Sequence, residues 1–253
     1  MVFKKKALMP YITAGDPDLA MTEEIILTLD KSGADLIEIG IPFSDPLLDG
    51  PVIQESGQRA LHSGTNLKKI FEMLEGLRGR IRAPYLLMGS YNPILSYGKD
   101  KFISDAGRTG VSGVIIPDLP YEQDIEFYQD LKKNNLPPIF MVTPVSTEKR
   151  LRLYGEIGSG FLYCVSLLGI TGTEQGSEEE IKTYLERVRR YTDLPLALGF
   201  GINGPEKAKK VVEHVDGIII GTALIRIIKK YAEDKELLLQ AIAGFISGIK
   251  EIM

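Results

Sequence analysis

A single cysteine, two histidines, no tryptophan and no long apolar run set the first limits on this 253-residue chain. Cys164 has no intrachain partner for a disulfide, and its setting in FLYCVSLL reads as buried packing rather than a reactive thiol. A disulfide scaffold is thereby excluded and a reducing compartment expected. The N-terminus agrees: after the lysines of MVFKKK comes only a short apolar stretch broken at Pro10, without a secretory cleavage pattern, so the expected location is the cytoplasm. No run approaches the roughly 18 residues that cross a bilayer. A net charge of −4 leaves no basic surplus, which excludes nucleic acid and anionic membrane as expected partners. The absence of tryptophan decides nothing. Scarce His and Cys also weigh against zinc; Asp45, Asp49 and Asp118 match no magnesium signature, and no metal is expected.

What is present is an ordinary soluble composition, 44% hydrophobic and 25% charged, with its glycines and prolines spread along the chain. Eight short apolar runs recur: 7–13, 35–41, 84–89, 113–117, 138–143, 160–166, 195–201 and 216–222. Continuous apolarity over so few residues suits a strand covered on both faces, as in a parallel sheet. Segments of helical period lie between them, such as Ile181, Tyr184, Leu185 and Val188 behind a capping box from Ser177 to Glu180. Asp16 before Pro17 reads as an N-cap with proline at the first helical position, Gly33 as that helix's stop, and Pro120 and Pro205 as later helix openers. Leu238, Ile242, Phe245, Ile246 and Ile249 form the stripe of a last helix. The pattern predicts one (β/α)8 TIM barrel over residues 1–253, one crossover helix per strand pair, with a doubly wound open sheet as the alternative.

In such a barrel the active site lies at the carboxyl ends of the strands. Those ends carry Tyr11, Thr13, Glu38, Gly40, Met88, Asp118, Thr143, Tyr163, Ser166, Phe200, Gly201, Gly221 and Thr222, and no lysine, which removes the nucleophile for an imine-forming aldolase. Glu38 is set among Leu36, Ile37, Ile39 and Ile41, where an unpaired charge would cost several kcal/mol. Asp49 follows in the loop DPLLDGP. Two carboxylates in unlike surroundings suit acid and base work, although a structural ion pair is the commoner fate of one strand glutamate. GFGING (199–204), GTALIR (221–226) and GITGTEQG (169–176) bring glycine-rich backbone to the same end. One such loop is a tight turn; three together favour a phosphate cradle at a helix N-terminus. Tyr11, Met88, Tyr163 and Phe200 line the same mouth, as core filling or as a pocket for a flat apolar group. The residues themselves do not name the reaction.

The segments PYITAGDP, EIGIPFSDPLLDGPVIQ, PDLP, SLLGITG and GFGI closely resemble the tryptophan synthase alpha subunit family across essentially the whole chain. The resemblance implies a barrel that cleaves indole-3-glycerol phosphate by a retro-aldol reaction to indole and glyceraldehyde 3-phosphate. Glu38 then falls on the general acid and base, and Asp49 on the carboxylate that pairs with the indole N–H. Gly172, Gly201, Gly221 and Thr222 fall on the phosphate site, Tyr11, Tyr163 and Phe200 on the indole side, and Thr171 on the closing loop. The resemblance also implies no cofactor in this subunit, a pyridoxal-phosphate-dependent beta partner and an αββα heterotetramer, with communication through residues 42–49 and 167–180. Three departures from the family pattern stand out: a start close to the first strand without a leading helix, Leu48 where alanine is frequent, and Leu167 where some members have arginine. A free-standing lyase, or a noncatalytic barrel that activates a beta partner, are the rival readings.

Overall fold

All eight apolar runs form strands in the computed structural model, which describes residues 6–165, 178–199, 201–202 and 204–253. Strand β1 (Ala7–Thr13) leads to helix α1 (Leu19–Lys31), and β2 (Ile37–Gly40) to α2 (Pro51–His62) and α3 (Leu67–Leu77). Next come β3 (Tyr85–Met88) with α4 (Tyr91–Tyr97) and α5 (Lys99–Thr109), β4 (Val114–Ile115) with α6 (Ile125–Lys133), and β5 (Phe140–Val142) with α7 (Glu148–Ile157). The chain closes with β6 (Leu162–Val165) and α8 (Glu178–Arg189), β7 (Leu196–Gly199) and α9 (Pro205–Val211), then β8 (Gly217–Ile220) with α10 (Thr222–Tyr231) and α11 (Lys235–Lys250). The expected single helix per crossover is therefore exceeded after β2 and β3.

Every pairing is parallel, in the order β4-β3-β2-β1-β8-β7-β6-β5. The seam between β4 and β5 is closed by Val114, whose N–H donates to Pro137 O at 3.1 Å and whose carbonyl accepts from Ile139 N–H at 2.9 Å. Closure excludes the open-sheet alternative. Strand alternation divides the apolar side chains into two sets. Met9, Leu36, Leu86, Ile139, Phe161 and Ile219 fill the barrel, while Leu8, Ile12, Ile37, Ile39, Leu87 and Ile218 face the helix layer. Most are inaccessible, so each contributes about 1.5–3 kcal/mol of burial. By the same parity Tyr11, Thr13, Glu38, Gly40, Gly199 and Gly221 belong to the interior face near its carboxyl end.

Two helix starts differ from expectation. The N-cap of α1 is Asp18, whose carboxylate accepts from Met21 N–H at 2.7 Å. Asp16 is instead buried and held by Ser56 Oγ at 2.6 Å and by both Arg59 Nε and a terminal guanidinium nitrogen at 2.7 Å. Its partners lie far along the chain, and a local Asp-Pro pattern carries no sign of them. Pro120 precedes a short 3-10 turn (Tyr121–Gln123), and Asp124 caps α6. Gly33 follows the end of α1 at φ 98° and Pro205 opens α9, as read from sequence. Ser177 of the expected capping box lies outside the described residues. The stripes on α8 and α11 face inward, with Phe245 half-buried.

Candidate active site

Parallel pairing of β1 with β2 sets Tyr11 opposite Glu38 and Thr13 opposite Gly40. Glu38 is only 1% exposed, and its Oε1 has no hydrogen-bond partner. Burial, and then the charge of Asp49, push its carboxyl up to about 8, so the proton stays on at neutral pH. Asp49 is half-buried in the loop joining β2 to α2, its own pKa raised by partial burial and by the carboxylate of Asp118. Asp118 arrives from the loop after β4, where it accepts from Tyr91 N–H at 2.9 and 3.2 Å. The two carboxylates read from the sequence are thus brought to one end of the barrel in unlike surroundings.

The loop carrying Asp49 is held from α2. Gly50 and Pro51 start that helix, and the Gln54 amide donates to Asp49 O at 2.8 Å and to Pro46 O at 3.2 Å. Farther along α2, Ser56 and Arg59 grip Asp16 in the β1–α1 turn. Glu55 on the same helix pairs with Lys229 of α10 at 2.5 Å. Neither Gln54 nor the Asp16 network was singled out from sequence. Gln54 lies inside the recognisable segment DGPVIQ, whereas nothing local signals the Asp16 pairing.

Tyr11 and Tyr163 form the aromatic part of the site. Both phenols are raised by burial first, Tyr11 next by Asp49 and Tyr163 next by Glu38, which sets both rings beside the carboxylates. Tyr11 lies over the Cβ-less face of Gly40 with its hydroxyl, and its ring passes 3.3 Å from where a Cβ on Gly221 would be. Tyr163 occupies the space that any side chain on Gly199 would need. Glycine at these positions is what lets the two rings lie across neighbouring strands.

At the adjoining edge Gly201 follows β7 at φ 81°, a conformation open to glycine, and is exposed. Gly221 is the N-cap and Thr222 the first residue of α10, with no side chain satisfying the first N–H groups. Free N–H donors and the positive end of a helix make this an anion-binding position. Phe200, Thr171, Gly172 and Leu167 lie outside the described residues. Of the histidines, His62 ends α2 against Gln58 O, and His214 precedes β8 opposite Glu178, both away from the carboxylates. A groove of about 950 Å³ at the other end of the barrel, between Pro84, Ser112, Pro137 and Ser159, has Lys132 as its ionisable lining group. It offers no acid and base pair.

Comparison with known proteins agrees with this arrangement. The family model described as tryptophan synthase alpha chain matches residues 2–253. The chain belongs to the tryptophan synthase alpha chain family. It is 53% identical over 250 residues to the tryptophan synthase alpha chain of Petrotoga mobilis, covering 98% of this chain and 97% of that one. The solved structure of tryptophan synthase subunit alpha from Legionella pneumophila superposes with a TM-score of 0.91 at 38% identity, over 98% of this chain and 93% of the other. A chain in the tryptophan synthase complex of Pyrococcus furiosus does so with a TM-score of 0.88 at 32% identity, over 99% and 100%. Membership of that family makes the protein a lyase of tryptophan biosynthesis that cleaves indole-3-glycerol phosphate to indole and glyceraldehyde 3-phosphate.

Proposed function

We propose that Glu38 carries both proton transfers of this cleavage, with Asp49 stabilising the charge that develops between them. The observation that carries the reading is a buried Glu38 with an unpaired oxygen, whose pKa is raised by that burial first and by the Asp49 charge next. Held as the acid at neutral pH, Glu38 donates its proton to the indole carbon that bears the glycerol chain. Asp49 accepts the hydrogen bond of the ring N–H and stabilises the positive charge that this protonation places on the ring. Glu38, now a carboxylate, removes the proton of the hydroxyl on the adjacent carbon. The carbon–carbon bond then breaks, the aldehyde leaves as glyceraldehyde 3-phosphate, and the bonding pair returns to the ring to restore indole. One residue thus acts first as acid and then as base, for which a pKa near the working pH is suited.

The remaining roles follow the family resemblance. Tyr11, Tyr163 and Phe200 flank the indole ring, and Gly172, Gly201, Gly221 and Thr222 hold the phosphate, the last two through the start of α10. Thr171 belongs to the loop that closes over the substrate. These transfers need only carboxylates, so the subunit is read as using no cofactor and no metal, with pyridoxal phosphate in the beta partner. Leu47 and Leu48, 92% and 62% exposed beside Asp49, are the apolar contact expected of a loop that meets that partner. The assembly is read as αββα, following the Pyrococcus furiosus protein solved as a tryptophan synthase complex. No helix among the described residues is long and apolar enough to cross a membrane, in keeping with a cytoplasmic enzyme. The test is indole release from indole-3-glycerol phosphate with and without a cognate beta subunit. Slow release that rises many-fold with the partner supports the reading, fast release indifferent to it indicates a free-standing lyase, and no release leaves a noncatalytic barrel.

A further inference from the structure

Buried polar atoms without a partner are rare in folded proteins, and each calls for a reason. Among the described residues they are Thr13 Oγ1, Glu38 Oε1 and Arg187 Nε. The third belongs to a guanidinium that already donates to Pro144 O at 2.7 Å and Ser146 O at 3.0 Å, beneath α8. The first two sit on adjacent strands and face the same interior: Thr13 is opposite Gly40, two residues beyond the Tyr11–Glu38 pair. Glu38 has its reason in the reaction. Thr13 is 2% exposed, and no step assigned above uses it. Its hydroxyl has a weak polar contact with the Tyr11 phenol, enough to offset part of that group's rise in pKa but short of good hydrogen-bond geometry.

We propose that Thr13 is a further substrate-contacting residue, whose hydroxyl bonds the aliphatic hydroxyl on the middle carbon of the substrate's three-carbon chain. The inference rests on the reading of the site given above. Strand order chooses the group: β1 lies between β2, which carries Glu38, and β8, which leads into the phosphate-facing start of α10. The β1–β8 register pairs Pro10 with Ile220, and continues so that Tyr11 meets Gly221. A residue on β1 at the mouth is therefore between the reacting carbon and the phosphate. What lies between these two in the substrate is the middle carbon with its hydroxyl, which takes no part in bond breaking and leaves as the secondary alcohol of the aldehyde product. An orphaned hydroxyl at that place is a preformed partner for it, at the expense of stability in the empty chain.

The experiment combines one substitution with one altered substrate. Indole release is measured for the wild-type chain and for Thr13→Val, which keeps the shape and removes the hydroxyl, on indole-3-glycerol phosphate and on its analogue lacking the middle hydroxyl. The wild type should lose about tenfold in kcat/KM on the deoxy substrate, the effect of one neutral hydrogen bond. Thr13→Val should lose a similar factor on the full substrate and show less than twofold further loss on the deoxy one. Its melting temperature should be unchanged or higher, and Thr13→Ser should keep most activity. Equal discrimination against the deoxy substrate by wild type and Thr13→Val would overturn the proposal, as would unchanged kcat/KM in that variant. The wild-type measurement decides even if a variant folds poorly: no loss on the deoxy substrate also overturns it. Glu38→Gln run alongside separates the two levels, since full activity there sinks the site reading itself whatever Thr13 does.

Discussion

Replacing Glu38 by Gln should make the protein's stability less sensitive to pH, in an amount the structure sets. The folded chain keeps the Glu38 proton up to about pH 8, whereas the unfolded chain releases it near the ordinary glutamate value of 4.5. Between those values the folded state binds more protons, so stability is lost as pH rises, by about 1.4 kcal/mol per pH unit from this group. Glutamine has the same shape and no proton to lose. Its amide is buried at a cost independent of pH, so the informative quantity is the change in the difference between variant and wild type. From pH 5 to pH 8 that difference should move by about 4 kcal/mol in favour of Glu38→Gln, equivalent to roughly 10 °C in Tm for a chain of this size. Thermal melts of both proteins at half-unit pH steps read it directly, because groups away from this site titrate alike in the two. Parallel curves would mean that Glu38 is not held protonated in the folded chain, and the assignment of acid before base would fall with them. The same variant should release no measurable indole.

Three other perturbations probe neighbouring parts. Gly201→Asp forces a side chain onto a φ of 81° and sets a negative charge toward the phosphate position, so KM should rise at least about tenfold with a smaller change in kcat; an unchanged KM removes Gly201 from the phosphate site. Asp118→Asn removes a carboxylate that raises the pKa of Asp49, and the acidic limb of the kcat/KM profile should shift to lower pH, which a fixed limb would contradict. Arg59→Met leaves the buried Asp16 carboxylate without its ion pair and should cost about 3–5 kcal/mol in denaturant unfolding. Adding Asp16→Asn to Arg59→Met should restore part of that loss, and strict additivity would show that the pair does not act as a unit.

The barrel was legible because each strand is buried on both faces and therefore announces itself as a continuous apolar run with turn residues on either side. The run ALMPYIT coincides with β1, and the other runs overshoot their strands by a few residues at the ends, where pairing stops before apolarity does. Glu38 was visible for the complementary reason, as a charge where the run predicts none. Helix starts were less legible. An Asp-Pro dipeptide specifies a cap only if the carboxylate has nothing better to bind, and Asp16 has Arg59 and Ser56, 43 and 40 residues away. Gln54 went unread although it stands in the recognisable segment and its partners are only five and eight residues back, since its role appears only once the Asp49 loop is seen to turn toward it.

Stability and chemistry are in opposition at the mouth of this barrel. Leu36, Leu86 and Tyr163 on the interior face that Glu38 shares are what a barrel core requires, and the same enclosure raises the carboxyl into the range where it can both give and take a proton. A polar partner placed against Oε1 would relieve the burial, lower the pKa and remove the acid. Glycine at 40, 199 and 221 serves the same chemistry: a Cβ at 40 would collide with Tyr11 and one at 199 with Tyr163, and its absence lets both rings lie beside the carboxylates. Compensation comes from outside the site, in the Asp16–Arg59 pair and the Gln54 contacts that fix α2 and the loop before it. Mutations that give Glu38 Oε1 a partner, or that remove the unpaired Thr13 hydroxyl, should therefore stabilise the protein and slow it, and mutations in the α2 anchor should weaken both properties together. That difference in sign is what separates residues that do the chemistry from residues that hold it in place.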